Sequence, residues 1–288
     1  MRTSPPVLPV GTKVLVRTSR RVGVIQEARA PGRYEVKFPE GQVETFSRSG
    51  LTIFRHELEE LAGEIDPETL RPFIQYVCVV GSRAYGLESE TSDTDRRGFF
   101  LPPADLHWSL AAMPEQIEDE QEQECYWELE KFLRLALKAN PNVLETLYSP
   151  LRESVSPLAE ELLAMRASFL SRAVHQTYNG YVLSQFKKME QDLRQRGEVS
   201  WKHAMHLVRL LLSGITVLRE GFVPLRVDGH RDRLLAVKRG EMPWEDVERW
   251  RLELHREFDA ALAATALPER PDYPRVNRFL LRARRSAL

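Results

Sequence analysis

Apolar and polar residues alternate with a period of two through most of the first fifty positions: Val14 and Val16 in GTKVLVRT, then Tyr34, Val36 and Phe38 in RYEVKF, with related patterns in VGVIQEA and QVETFSR. Side chains two residues apart share one face of a strand, so each stretch predicts a half-buried strand. The turn residues PGR and PEGQ separate them. Four or five strands in this span predict a small SH3-like β-barrel over residues 1–56.

Beyond residue 56 the period lengthens. Residues 57–75 read as helical, with Asp66, Pro67 and Glu68 supplying an N-cap, a proline at the first helical position and an acid matched to the helix dipole. The apolar run YVCVV at 76–80 predicts a buried strand. RRGFFLPP predicts a second, halted by Pro102 and Pro103, and QEQECY at 121–126 a third. In WELEKFLRLALKAN, residues Leu129, Phe132, Leu133 and Ala136 fall on one helical face, and Asn140 with Pro141 ends the helix. From about Leu151 the pattern is almost all helical, opening at Pro157 and continuing through Trp201–Glu220, residues 244–266 and a last stretch after Tyr273. The predicted class is α+β and multidomain: a β unit over 1–56, an α/β domain over 57–150 and a helical bundle over 151–288.

Composition narrows the classes. The 288 residues are 42% hydrophobic and 29% charged, and no apolar run approaches the roughly 18 residues a membrane span needs. MRTSPPVLPVG lacks the apolar stretch of a secretory signal, so a soluble cytoplasmic protein without membrane association is expected. Cys78 and Cys125 sit in apolar or strand-like segments without CxxC spacing, which argues against a disulfide framework or zinc knuckle. The net charge of −1 hides an asymmetry. Residues 1–56 carry Arg2, Lys13, Arg17, Arg20, Arg21, Arg29, Arg33, Lys37, Arg48 and Arg55 against Glu27, Glu35, Glu40 and Glu44, a local +6 with −7 over the remainder. Such an excess suits a polyanion-binding attachment, and it also occurs on ordinary solvated surfaces.

The stretch GSRAYGLESETSDTD, residues 81–95, carries the candidate chemistry. Gly81 lets a backbone approach a phosphate, and Ser82 offers a hydroxyl and an amide at a following helix N-terminus. Asp93 and Asp95, two apart, share a face if they lie on a strand, and converging carboxylates suit Mg²⁺ (or Mn²⁺) beside substrate phosphates. SETSDTD is also the composition of a solvated turn.

VVGSRAYGLESETSDTDRRGFFLPP resembles the signature of the DNA polymerase β-like nucleotidyltransferases: an apolar residue, Gly-Ser, about ten residues, then Asp-x-Asp. It is most similar to a bacterial and phage branch sometimes encoded with RNA-repair ligases. The likeness continues through WELEKFLRLALKANPNVLETLYSP, KHAMHLVRLLLSG and VKRGEM, over roughly residues 70–270. The N-terminal unit lies outside it and resembles Tudor and KOW-type barrels through VGVIQEARAPGRYEVKFPEGQVETF. The first resemblance implies a polymerase-β-like catalytic core that binds a nucleoside triphosphate. Gly81 and Ser82 would hold its β and γ phosphates, Arg83 would help neutralise them, and Asp93 and Asp95 would bind two metals. An acceptor hydroxyl would attack the α-phosphate in line and release pyrophosphate.

Two departures accompany the likeness. Thr94 and Arg96 stand where relatives carry apolar strand residues. A third carboxylate is implied on a neighbouring strand, where IEDEQEQECYW offers Asp119, Glu122 and Glu124; parity does not separate the last two, and Glu124 is favoured as nearest the helix. The relatives place an Asp near Gln123, which would leave that base missing or displaced.

In Trp201–Glu220 the positions Lys202, His206, Arg209 and Ser213 align beside an apolar stripe. Cations on a mostly apolar helix face a cleft or an anion, or simply water. The resemblance implies that this helix closes over the nucleotide, with Lys202 and Arg209 near the triphosphate and His206 near base or sugar. Asn140, Asn142 and Glu145 read as capping and interhelical groups, and Lys238, Arg239 and Glu241 as a charged turn that could line the cleft. The leading expectation is a metal-dependent nucleotidyltransferase acting on an RNA end held by the basic barrel. The alternatives are nucleotidylation of a protein or small molecule, and a catalytically silent nucleic-acid-binding adaptor.

Overall fold

Alternation in the first fifty residues becomes β1 (Lys13–Val16), β2 (Val22–Arg29), β3 (Arg33–Lys37), β4 (Val43–Ser47) and β5 (Leu51–Ile53). The computed structural model describes residues 8–19, 21–29, 32–54, 65–196 and 199–288. Arg2, Arg20 and Arg55 of the basic set, and the helical reading of 57–64, lie outside the described residues. The strands form one antiparallel sheet in the order β4-β3-β2-β1-β5. Val14, Val16, Ile25, Tyr34, Val36, Phe38 and Leu51 bury the alternating face as a small core. Among the described residues β4 and β5 are not paired, so the sheet is open rather than the closed barrel expected. The physical reason lies in those two strands: β4 is exposed apart from the partly buried Phe46, and β5 has three residues with only Leu51 buried.

A second sheet comprises β6 (Ile74–Val80), β7 (Asp95–Phe100), β8 (Gln116–Asp119), β9 (Glu124–Glu128) and β10 (Arg152–Val155), in the order β10-β6-β7-β9-β8. The β7–β9 pair is parallel and the other pairs are antiparallel. Asp66 caps the segment before β6 as expected, its carboxylate accepting from the Glu68 amide at 3.1 Å, but Pro67–Phe73 winds as a 3-10 helix with Pro72 inside it. Two strands were not expected from the pattern. QIED is short, and RESV is mostly exposed, so neither displays a hydrophobic period.

Ten helices are described: α1 (Gly81–Tyr85), α2 (Ala104–His107), α3 (Leu129–Leu137), α4 (Pro141–Tyr148), α5 (Pro157–Ala164), α6 (Ala173–Arg196), α7 (Trp201–Glu220), α8 (Arg231–Lys238), α9 (Trp244–Ala264) and α10 (Tyr273–Ser286). Asn140 ends one helix and caps the next, its side chain accepting from the Val143 amide at 3.3 Å. The second sheet has two faces with different fates. Tyr76, Cys78, Phe99, Cys125 and Trp127 join Phe132 and the residues of α7 in the main core, whereas Phe100, Tyr126, Ile117 and Leu70 form a smaller cluster. Both cysteines are buried and free. The last helix is anchored to this sheet by Arg284, which pairs with Glu128 while Glu128 also caps α3 at the Glu130 amide. Ile65–Ser109 and Met113–Leu288 form one compact unit, separate from the unit made by the earlier described residues with Leu110–Ala112. No described helix is long and apolar enough to cross a membrane.

Candidate active site

Where β6 ends, the chain must turn sharply while a neighbouring strand presses against it. Gly81 makes that turn at φ +70, the left-handed region that glycine enters without steric cost. A Cβ there would lie 2.2 Å from Asp95 Oδ2. Asp95 opens β7 directly opposite Val80, so its carboxylate lies against the β6–α1 turn, and Asp93 sits in the loop two residues before it. Gly81→Ala therefore combines an unfavourable backbone conformation with displacement of a carboxylate. We expect activity of this site to fall by about 100-fold, read as initial rate on folded protein; a fall below threefold would show that the close approach is dispensable.

Arg83 does something other than expected. Its guanidinium donates to the carbonyl oxygens of Asp93 (3.2 Å) and Ser92 (2.8 Å), so it holds the carboxylate loop in place and does not line the cleft. The cleft itself is about 700 Å³. Gly81, Ser82, Asp93 and Asp95 line it together with Lys202, His203 and His206 of α7 and Lys238 of α8. Six of the expected site residues thus converge from segments more than one hundred positions apart.

Arg209 and Glu124 do not join them. Arg209 is 1% exposed and donates through Nη2 to Glu145 Oε1 at 2.8 Å. Its guanidinium stacks 3.7 Å from the Tyr85 ring centre, and the Tyr85 hydroxyl donates to Glu145 Oε2 at 2.5 Å. A cation committed to a buried carboxylate in this way is a girder under the cleft rather than a triphosphate ligand. Glu145, read from sequence as a structural group, does hold this network and also lines the cleft. An isolated glutamate on a helix gives no signal for that second position.

His206 places Nδ1 3.5 Å from Arg209 Nη2. Burial first, then the Arg209 charge, lowers its pKa from 6.5 to about 3. The unfolded chain thus takes up a proton at higher pH than the folded one, so this group's contribution to stability is complete above about 6.5 and shrinks as pH falls toward 3. His206→Gln is expected to show a shallower fall in thermal midpoint between pH 7 and pH 5 than the unaltered protein. Equal slopes would contradict this.

The β7–β9 register decides the fate of the third acid. Arg96 pairs with Glu124, and Asp95 shares its face with Arg97 and Phe99, so Glu124 stands on the opposite face of the sheet from Asp95. There Glu124 accepts from Arg71 Nη1 at 2.7 Å, and Asp119 lies 3.7 Å from Arg71 Nη2. The residue that faces the cleft beside Asp95 is Gln123, at φ 55, with Arg97 next to it. Strand parity alone could not reveal this, because the face of Glu124 relative to Asp95 is fixed by the register of the β7–β9 pair. Among the described residues there is no group of three or more His, Cys, Asp or Glu able to hold a metal. Two carboxylates beside a side-chain-free turn nevertheless fit Mg²⁺, which takes its remaining ligands from water and phosphate.

A family model described as RlaP, RNA repair pathway DNA polymerase beta family, matches residues 55–282. The uncharacterized protein YcgL of Bacillus subtilis (strain 168) is 30% identical over 160 residues, a match covering 52% of this chain and 58% of the relative's length.

Proposed function

The chain belongs to the RNA repair pathway DNA polymerase beta family, and from that premise we propose that it is a metal-dependent nucleotidyltransferase that moves a nucleoside monophosphate from a nucleoside triphosphate to an RNA end. The observation that carries the reading is the packing of Asp95 against Gly81, which sets a carboxylate beside a turn that lines the same cleft. Asp93 and Asp95 would hold Mg²⁺, which when bound supplies charge neutralisation at the α-phosphate and the departing pyrophosphate. The chain's own groups do the positioning. Gly81 and Ser82 present backbone and hydroxyl to the β and γ phosphates, Arg83 fixes the carboxylate loop, and Lys202 and Lys238 bring positive charge to the cleft. His206, neutral at pH 7, faces the nucleotide as a hydrogen-bonding group rather than a cation.

The N-terminal unit we read as an SH3-like module that holds nucleic acid. Its strand order, an antiparallel meander β1-β2-β3-β4 with β5 added beside β1, supports the SH3-like part of this reading. Part of its basic excess is neutralised, since Arg21 pairs with Glu44 and Arg29 with Glu35, while Lys13, Arg33 and Lys37 have no ion pair among the described residues.

The test is incubation with each α-labelled nucleoside triphosphate, Mg²⁺ or Mn²⁺, and a mixed pool of RNA and DNA ends, beside the Asp93→Ala/Asp95→Ala variant. Label entering RNA with the unaltered protein alone establishes the transferase and identifies its nucleotide. Tight RNA binding without transfer to nucleic acid, protein or small molecule would leave an adaptor that has kept the fold.

A further inference from the structure

Asp95 stands between two neighbours at one end of the sheet. The order β6-β7-β9 puts Gly81, at the end of β6, on one side and Gln123, at the start of β9, on the other. In-line displacement places the leaving group and the attacking atom on opposite sides of the α-phosphorus. A triphosphate anchored at Gly81 and Ser82 therefore leaves the Gln123 side for the acceptor.

That side is poorly built for removing a proton. Gln123 is uncharged, and its carbonyl oxygen accepts from Arg97 Nη1 at 2.7 Å and from the Arg96 amide at 3.0 Å. Glu124 lies on the far face with Arg71. Three carboxylates line the cleft among the described residues. Asp93 and Asp95 are the candidate metal ligands, and Glu145, 2% exposed, has both oxygens engaged by Tyr85 and Arg209. The cleft's imidazoles, His203 and His206, belong to α7 and not to this strand edge. What the edge does offer is a cation: Arg97 lines the cleft with its guanidinium 3.6 Å from Asp95 Oδ1.

A hydroxyl nucleophile must lose a proton as it attacks, whereas a phosphomonoester, whose second pKa is about 6, is already a dianion at neutral pH. Resting on the transferase reading above, we propose that the acceptor is a terminal phosphomonoester of RNA, recognised by Arg97 beside Gln123, and that the product is a pyrophosphate-linked end. An oxygen of the terminal phosphate attacks the α-phosphorus, forming a P–O–P bond. The bond from the α-phosphorus to its bridging oxygen breaks, and the electron pair leaves with pyrophosphate. No proton is transferred from the nucleophile, and nothing is oxidised or reduced. Arg97 is held at this edge by Nη1, which donates to the Arg96 and Gln123 carbonyls at 2.7 Å, and its Nη2, beside Asp95, is the donor that would meet a phosphate oxygen.

The experiment compares RNA oligonucleotides of one sequence with 5′-hydroxyl/3′-hydroxyl, 5′-phosphate/3′-hydroxyl and 5′-hydroxyl/3′-phosphate ends, using the full chain, Mg²⁺ and each α-labelled nucleoside triphosphate. Expected is label on a phosphate-bearing RNA alone, resistant to phosphatase and released by an enzyme that cleaves pyrophosphate linkages. Arg97→Met is expected to raise KM for that RNA about tenfold with a smaller effect on kcat, and Arg97→Lys to restore part of it. Gln123→Asp, which adds a negative charge where the phosphate would approach, should lower transfer to the phosphate end about tenfold. Metal-dependent binding of the nucleoside triphosphate is measured in parallel. Absent binding overturns the transferase reading itself. Binding accompanied by labelling of the dihydroxyl RNA, or by no labelling of any end, overturns the phosphate acceptor.

Discussion

Asp95→Asn is expected to lower nucleotidyl transfer by roughly 1000-fold or more while shifting the thermal midpoint by less than about 2 °C. The two halves of this expectation have separate origins. The substitution keeps the shape of the side chain against Gly81, where space is so limited that even a methyl group would collide with it. It removes the charge that makes a carboxylate a ligand for a hard cation, and with it half of the candidate metal-binding pair. Stability should hardly change, because Asp95 is partly exposed and its ionic neighbour among the described residues, Arg97, lies at the long distance of 3.6 Å. Single-turnover transfer and a melting curve, measured on one preparation, test both halves. Transfer retained within tenfold would remove Asp95 from the chemistry, and a large loss of midpoint would recast it as a folding residue.

Arg209→Ala should instead act on folding. Arg209 and Glu145 are both almost wholly buried, and the alanine variant would leave Glu145 charged beneath the cleft with the Tyr85 hydroxyl but without its cation. Breaking such a pair costs about 3–5 kcal/mol, which for a unit of this size corresponds to a fall of roughly 10 °C in thermal midpoint. Losing the guanidinium over the Tyr85 ring adds to the effect. The double variant Arg209→Met/Glu145→Gln separates the causes. It removes both charges while keeping approximate volume, and is expected to recover a substantial part of the loss. If the single variant melts within 3 °C of the unaltered protein, the buried pair has no structural role. If the double variant is no better than the single one, the loss belongs to packing and not to the orphaned charge.

The parts of the fold visible in the sequence were those whose periodicity has a single cause. Val14, Val16, Tyr34, Val36 and Phe38 alternate because one face of a sheet is buried, and the whole of α7 was legible because its apolar positions repeat along twenty residues. The strands QIED and RESV were not, since edge positions leave little apolar surface to bury. At the site, Gly81, Ser82, Asp93 and Asp95 were legible as a local motif whose chemistry needs those residues at that spacing. Glu124 and Arg209 were misplaced for different reasons. The face on which Glu124 lies depends on the register of a parallel pair whose partners are almost thirty residues apart. As a cation on an apolar helix Arg209 calls for a cleft or an anion, but its partner, Glu145, lies in another helix that nothing in the local sequence connects to it.

The outermost strand β10 comes from the helix-rich half of the chain yet pairs with β6, an attachment extended by the Val79 amide to the Leu151 carbonyl at 2.8 Å and the Ser156 amide to the Gln75 carbonyl at 2.9 Å. A fragment ending near residue 150 would therefore expose the open hydrogen-bonding edge of a strand that is rich in valine. Such an edge recruits other chains. For anyone expressing the catalytic sheet alone, the obstacle would be aggregation, and carrying the fragment on through Ser156 is the simplest way to keep that edge covered.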